Sequence, residues 1–322
     1  MKKAPILSLS IFISLFIINC EGSNKSSTPQ VNNTTLSNND INRTVSYITP
    51  PDNTLSTIIK FKLENSIKES SGLIKLDNQL WTHNDSGDGA KLYQIDENSG
   101  SILKTVTIKN AVNKDWEDIT YDDTHVYIGD FGNNRGNRKD LKIYKISRDD
   151  LKTQNDINAE VINFSYNDQH DFSRKSDKNN NYDCEAMIVK NDKLYLFSKN
   201  WGDQQTRLYE LDTTTGRHIA RYKNSFNIKG LVTGASFNKE FNILLLSSYS
   251  KLLNTSIWSF SNINNSDFFK GEAKKLTLTN SIQAQIEGIT FIDDHKAYLS
   301  SEAFSNKKYG ISLESNLYEL EF

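Results

Sequence analysis

A short pattern returns five times along this 322-residue chain. Its copies read Glu69-Ser-Ser-Gly-Leu73, Asp115-Trp-Glu-Asp-Ile119, Asp183-Cys-Glu-Ala-Met187, Leu231-Val-Thr-Gly-Ala235 and Gln285-Ile-Glu-Gly-Ile289. Each has an oxygen-bearing residue, then a small or acidic one, then an apolar one. Aligned this way, the oxygen positions are Ser71, Glu117, Glu185, Thr233 and Glu287. A fold that repeats one strand around an axis aims all five at a single point. Three carboxylates and two hydroxyls at one point suit a hard cation.

The repeat extends past the short pattern. A strand follows each copy: Gln79–His83, His125–Gly129, Lys193–Phe197, Asn242–Leu246 and Lys296–Ser300. After a polar loop comes a third strand of shared character, such as Leu92-Tyr-Gln-Ile95 and Leu317-Tyr-Glu-Leu320. Four copies end in a fourth strand. The runs are short, β-branched or aromatic, and bounded by turn residues. The fifth copy reaches Phe322 without its fourth strand, and Thr57–Lys62 supplies one from the other end. The oxygen positions stand 46, 68, 48 and 54 residues apart, which is blade spacing. The expectation is an all-β, five-bladed β-propeller of four-stranded antiparallel blades over 56–322, the N-terminal strand closing the last blade. A sixth blade does not fit into the roughly 20 extra residues of the second interval. That excess, 167–182, either covers the mouth of the site or is a surface loop.

The first residues have the form of a lipoprotein leader. Lys2 and Lys3 precede an apolar run, Ile6 to Ile18, too short to span a bilayer as a mature helix. It ends in Ile17-Ile-Asn-Cys20, like a lipobox with Asn19 where a smaller residue is usual. Residues 1–19 are therefore expected to be a signal peptide. Cys20 would carry lipid that holds the protein to a bacterial envelope membrane, the leaflet left open. The polar stretch 20–55 would be a flexible tether, having little apolar surface to bury. The net charge of −2 points away from a nucleic-acid partner. With Cys20 lipidated, Cys184 has no disulfide partner, so packing and strand pairing must close the fold.

In a propeller the first strand of each blade lines the axis. The ring positions Ser71, Glu117, Glu185, Thr233 and Glu287 then offer oxygen and no His or Cys, which favours calcium over zinc or copper. Polar residues that satisfy backbone amides are the alternative. A second layer lies where each second strand ends and holds Asp85, Asp130, Lys199 and Glu302. These are candidates for acid–base work on a bound ligand. Asn84, Asn133, Arg135, Arg138 and Trp201 are candidate ligand contacts, with turn chemistry as the plain reading of the asparagines. Trp81, Trp116, Trp201 and Tyr249 stack on a ligand or pack between blades. No nucleophile elbow, phosphate-cradling loop or Cys-x-x-Cys is present.

These residues resemble the calcium-activated nucleotidases, the soluble apyrases. The likeness rests on Glu69-Ser-Ser-Gly-Leu73 with Asn84-Asp85-Ser-Gly-Asp-Gly, on Lys114-Asp-Trp-Glu117 leading to Val126-Tyr-Ile-Gly-Asp130, and on Asp183-Cys-Glu185. It implies a five-bladed propeller with axial calcium on Ser71, Glu117, Glu185, Thr233 and Glu287. The family's paired arginines are replaced here by Lys199-Asn200, and its Asp-Asp-Arg turn by Asn84-Asp85-Ser86. Both departures fall where nucleotide would be handled. The Asp-Trp-Glu-Asp-Ile and Gly-Asp-Phe-Gly-Asn-Asn segments also resemble uncharacterised secreted bacterial propellers. The expected function is a calcium-holding envelope module that binds a small molecule or protein, or else a calcium-dependent phosphohydrolase.

Overall fold

The computed structural model describes residues 53–176, 179–278, 282, 284–307 and 310–322. The leader, Cys20 and the tether up to residue 52 lie outside them. The fold is all-β and propeller-like. It begins with β1 (Thr54–Lys62), two residues before the expected boundary at 56. The first repeat is an antiparallel meander of β2 (Ser70–Leu76), β3 (Gln79–Asn84), β4 (Lys91–Ile95) and β5 (Ile102–Ile108). The second holds β6 (Trp116–Tyr121), β7 (His125–Asp130) and β8 (Lys142–Ser147). A short helix, α1 (Arg148–Thr153), and β9 (Asp156–Ile157) then precede its outer strand β10 (Glu160–Tyr166). Ser147 caps that helix by accepting from Asp150 N, and Asp149 and Asp150 sit in its first turn.

The third repeat is β11 (Cys184–Lys190), β12 (Lys193–Ser198), β13 (Thr206–Asp212) and β14 (Gly216–Phe226). The fourth is β15 (Leu231–Asn238), β16 (Ile243–Tyr249), β17 (Thr255–Ser261) and β18 (Glu272–Leu278). The fifth has β19 (Ile286–Phe291) and β20 (Lys296–Ser301), a small hairpin of β21 (Phe304–Asn306) and β22 (Ile311–Leu313), and β23 (Asn316–Glu321). Its fourth strand is β1, which runs antiparallel to β23 with Ser56 opposite Glu321 and Lys62 opposite Asn316. The chain's first described strand thus completes its last repeat.

Outer strands also join neighbours, which the sequence did not suggest. β10 pairs parallel with β14, and β1 with β18, so two pairs of repeats merge into eight-stranded sheets. β9 extends the first repeat beside β5. The first strands β2, β6, β11, β15 and β19 neighbour one another in a closed cycle. Apolar side chains fill each gap of that cycle. Trp81, Leu92 and Ile74 meet Trp116, Ile128 and Tyr144 between the first two repeats. Leu73, Leu80 and Tyr93 meet Tyr298 and Leu317 between the first and the last. Each fully buried Leu or Ile contributes about 1.5–3 kcal/mol, so the ring closes by packing. Cys184 is buried and forms no disulfide with any described residue. Trp81 and Trp116 are core residues between repeats, with no face left for a ligand.

Candidate metal centre

Every first strand bulges at the same place. Between β2 and β3 the pairing steps from Ser70–Asn84 to Gly72–His83, which leaves Ser71 as the extra residue. The same step leaves out Glu117, Glu185, Thr233 and Glu287 in the other four repeats. A bulge takes its extra residue out of the ladder and re-aims the side chain. The five oxygen positions are therefore structurally equivalent, and all five side chains are buried.

They do not all serve the same end. Ser71 Oγ donates to Glu117 O at 2.9 Å, and Thr233 Oγ1 donates to Ile286 O. These hydroxyls stitch β2 to β6 and β15 to β19. The carboxylates gather instead with partners outside the expected ring. Asp85, Asp115 and Glu117 place ligand oxygens within 4.8 Å of one another, and so do Glu117, Asp183 and Glu185. Either group of three stands close enough to hold a metal ion. Asp115 and Asp183 escaped the sequence reading, although each stands two residues before a ring glutamate. Both open the same repeated five-residue pattern, Asp115-Trp-Glu and Asp183-Cys-Glu, and that was the available signal.

A further tier comes from the ends of the second strands. Asp85 N donates to Glu69 O, Gly132 N to Asp115 O, Lys199 N to Asp183 O, and Glu302 N to Gln285 O. Asp85, Gly132, Lys199 and Glu302 are thus equivalent positions. In the fourth repeat Tyr249 pairs with Leu231 at this level. Lys199 Nζ lies 3.0 Å from Glu185 Oε2 and sits 5.6 Å and 5.3 Å from the ring centres of Trp201 and Tyr249.

So many buried and half-buried acids cannot all ionise freely. Burial pushes Asp115 up to about 7, with Asp85 and Asp183 adding repulsion. Burial likewise raises Glu287 to about 7, and Lys199 opposes the shift. Glu117 and Glu302 are driven well above the carboxylate range by burial and then by neighbouring acids. Burial works against charge on Lys199 too, but Glu185, Glu287, Tyr249 and Asp183 outweigh it and keep the ammonium protonated. Glu287 Oε2 is buried without a hydrogen-bond partner.

The other sequence candidates are mostly committed to the protein itself. Asn84 accepts from Glu69 N and donates to Ser66 O and Asp88 Oδ2, which is turn chemistry. Asn133 donates its amide N–H to Asp183 Oδ1 and its side-chain amide to Tyr182 O. Arg138 is held by Asp130 Oδ1 at 2.8 Å, by Asp140 and by Gly132 O, which also occupies Asp130. Arg135 is exposed on the same loop. Trp201 donates its Nε1–H to Asp183 Oδ2 at 3.2 Å. The described parts of 167–182 pack beside this end. Asn180 Nδ2 donates to Asn133 O, and Asn180 O accepts from Trp201 N. Residues 177 and 178 lie outside the described set.

Asp118, next to Glu117, acts as a crossbar. Its carboxylate accepts from Met187 N at 2.7 Å and from Ile119 N at 2.8 Å, and also bonds the backbone of Ala235. One side chain therefore ties β6 to β11 and β15. A cavity of about 880 Å³ lies at the opposite end of the first strands, lined by hairpin turns such as Asp77–Asn78 and Asn191–Asp192. It contains none of the clustered carboxylates.

No protein-family model matches the chain, and no curated protein matches it. Among solved structures, it is similar to the PQQ-bound form of an aldose sugar dehydrogenase from Streptomyces coelicolor. That match has 10% identity and a TM-score of 0.44, over 83% of this chain and 99% of that one. A candidate 6-phosphogluconolactonase from Bacteroides uniformis is similar at 13% identity and a TM-score of 0.38, over 79% of this chain and 74% of that one. Likenesses this distant carry no argument about chemistry.

Proposed function

We propose that the chain is a five-bladed propeller that holds a divalent cation, calcium by preference, at the acidic end of its axis. The same end would serve as a binding module for a small molecule or protein partner. One observation carries this reading. At the equivalent bulge of three repeats stands a glutamate no more than 4% exposed, and Glu287 Oε2 among them meets no donor. Buried like charges with an orphaned oxygen are costly unless a cation joins them. All-oxygen donors without His or Cys favour calcium over softer metals.

Binding is favoured over phosphoester hydrolysis because Lys199 and Arg138 are already engaged by carboxylates. Neither is left to take a phosphate oxygen. The leader and Cys20 support a lipid-anchored place in the bacterial cell envelope, testable by metabolic labelling with a fatty acid and its loss in Cys20→Ala.

The cation reading is tested by thermal unfolding of the full chain in chelator and then in calcium. A calcium-dependent rise in melting temperature that Glu117→Gln removes is the expected result. Identical unfolding in chelator, calcium and magnesium would mean that the carboxylates serve only the fold.

A further inference from the structure

The carboxylates of the acidic end form two groups that meet at one residue. Asp85, Asp115 and Glu117 make the first, and Glu117, Asp183 and Glu185 the second. Oxygens opposite each other across a calcium ion stand about 4.8 Å apart, twice a bond of about 2.4 Å. Each group meets that limit by itself. Two cation positions sharing Glu117 is the natural division.

The second position already holds a charge. Lys199 Nζ sits 3.0 Å from Glu185 Oε2, with both side chains 6% exposed or less. Its field also acts on Asp183 and Glu287, and reaches Asp85 of the first group. The rings of Trp201 and Tyr249 flank it, which further favours a cation there. The equivalent position carries Asp85 in the first repeat, Gly132 in the second and Glu302 in the fifth. Only the third repeat among these sends in an ammonium. Among the described residues no lysine forms an ion pair with the first group, and Lys199 is paired with Glu185 instead. The first group's nearest cation is Arg138, whose Nη1 is 3.8 Å from Asp115 and whose other contacts are Asp130 and Asp140. The Glu117 carboxylate, 4% exposed, takes no hydrogen bond from any described residue.

We propose that Asp85, Asp115 and Glu117 form a single divalent-cation site, and that Lys199 fills the second position as a built-in cation. This rests on the cation reading above and adds a stoichiometry to it. The lysine sets the number of metal ions at one and confines exchange to one side of Glu117.

Calcium chloride titrated calorimetrically into the metal-free full chain tests this. The wild type is expected to bind one ion, Asp115→Asn to lose at least tenfold in affinity, and Lys199→Met to bind two. Glu185→Gln, which keeps an oxygen for Lys199, is expected to bind calcium within about threefold of wild type. This second comparison stands even if Lys199→Met does not fold. No binding by the wild type overturns the cation reading itself. Two ions in the wild type, one in folded Lys199→Met, or equal losses in Asp115→Asn and Glu185→Gln, leave that reading standing and overturn the role of Lys199.

Discussion

Lys199 Nζ and Glu185 Oε2 form an ion pair 3.0 Å long in which neither side chain is more than 6% exposed. A buried pair is weak evidence of stability, because desolvation offsets most of its attraction, yet breaking it leaves a charge with no water and no partner. Lys199→Met in chelator is therefore expected to cost about 3–5 kcal/mol, read from urea unfolding. Calcium should restore part of it. A loss below about 1 kcal/mol would show that Glu185 simply takes up a proton.

The metal-free protein should lose stability as pH rises. Asp115 and Glu287 titrate at about 7 when folded, whereas unfolded carboxyls titrate near ~4. Between those values the folded chain binds more protons, so stability falls from about pH 4 to about pH 7 and then levels off. Calcium affinity should climb over the same upper range, because the ligands must be deprotonated. Melting temperatures in chelator across pH 5–8 would check the slope, and a rise with pH would contradict it.

Asp118→Ala should destabilise without touching a proposed ligand. The substitution strands the buried amide of Met187 and frees β6 from β11 and β15. Each orphaned buried donor costs about 1–3 kcal/mol. A urea midpoint equal to wild type would show that the crossbar bears little of the fold.

Gly132→Ala probes the space around the first carboxylate group. A Cβ built on Gly132 overlaps Glu117 Oε1 and presses on the Asp115 carboxylate. Calcium affinity is expected to drop by tenfold or more while far-UV circular dichroism stays that of wild type. Unchanged affinity would place the ion away from Glu117.

Much of the architecture could be read from short stretches, because strand, turn and repeat are local signals. Thr57–Lys62 was legible as the missing strand of the last repeat, and β1 pairs with β23 as that reading required. Ser71, Glu117, Glu185, Thr233 and Glu287 were legible as equivalents, and all five are bulge residues. Their separate fates were not. Whether a hydroxyl reaches a neighbouring carbonyl, as Ser71 does, depends on how closely two first strands approach. The parallel pairing of β10 with β14 depends on outer edges far apart in sequence.

The sequence by itself determined the repeating strands, their order and the ring position that carries oxygen, since each is encoded within a few residues. Only the tertiary structure decided which oxygens meet. Asp85 comes from one repeat, Asp115 and Glu117 from the next, and Asp183 and Glu185 from a third. Lys199 looks like a surface charge at a strand end, yet ring closure withdraws it from water and sets it against Glu185. Burial gives a charge its energetic weight, and burial is a property of the closed ring.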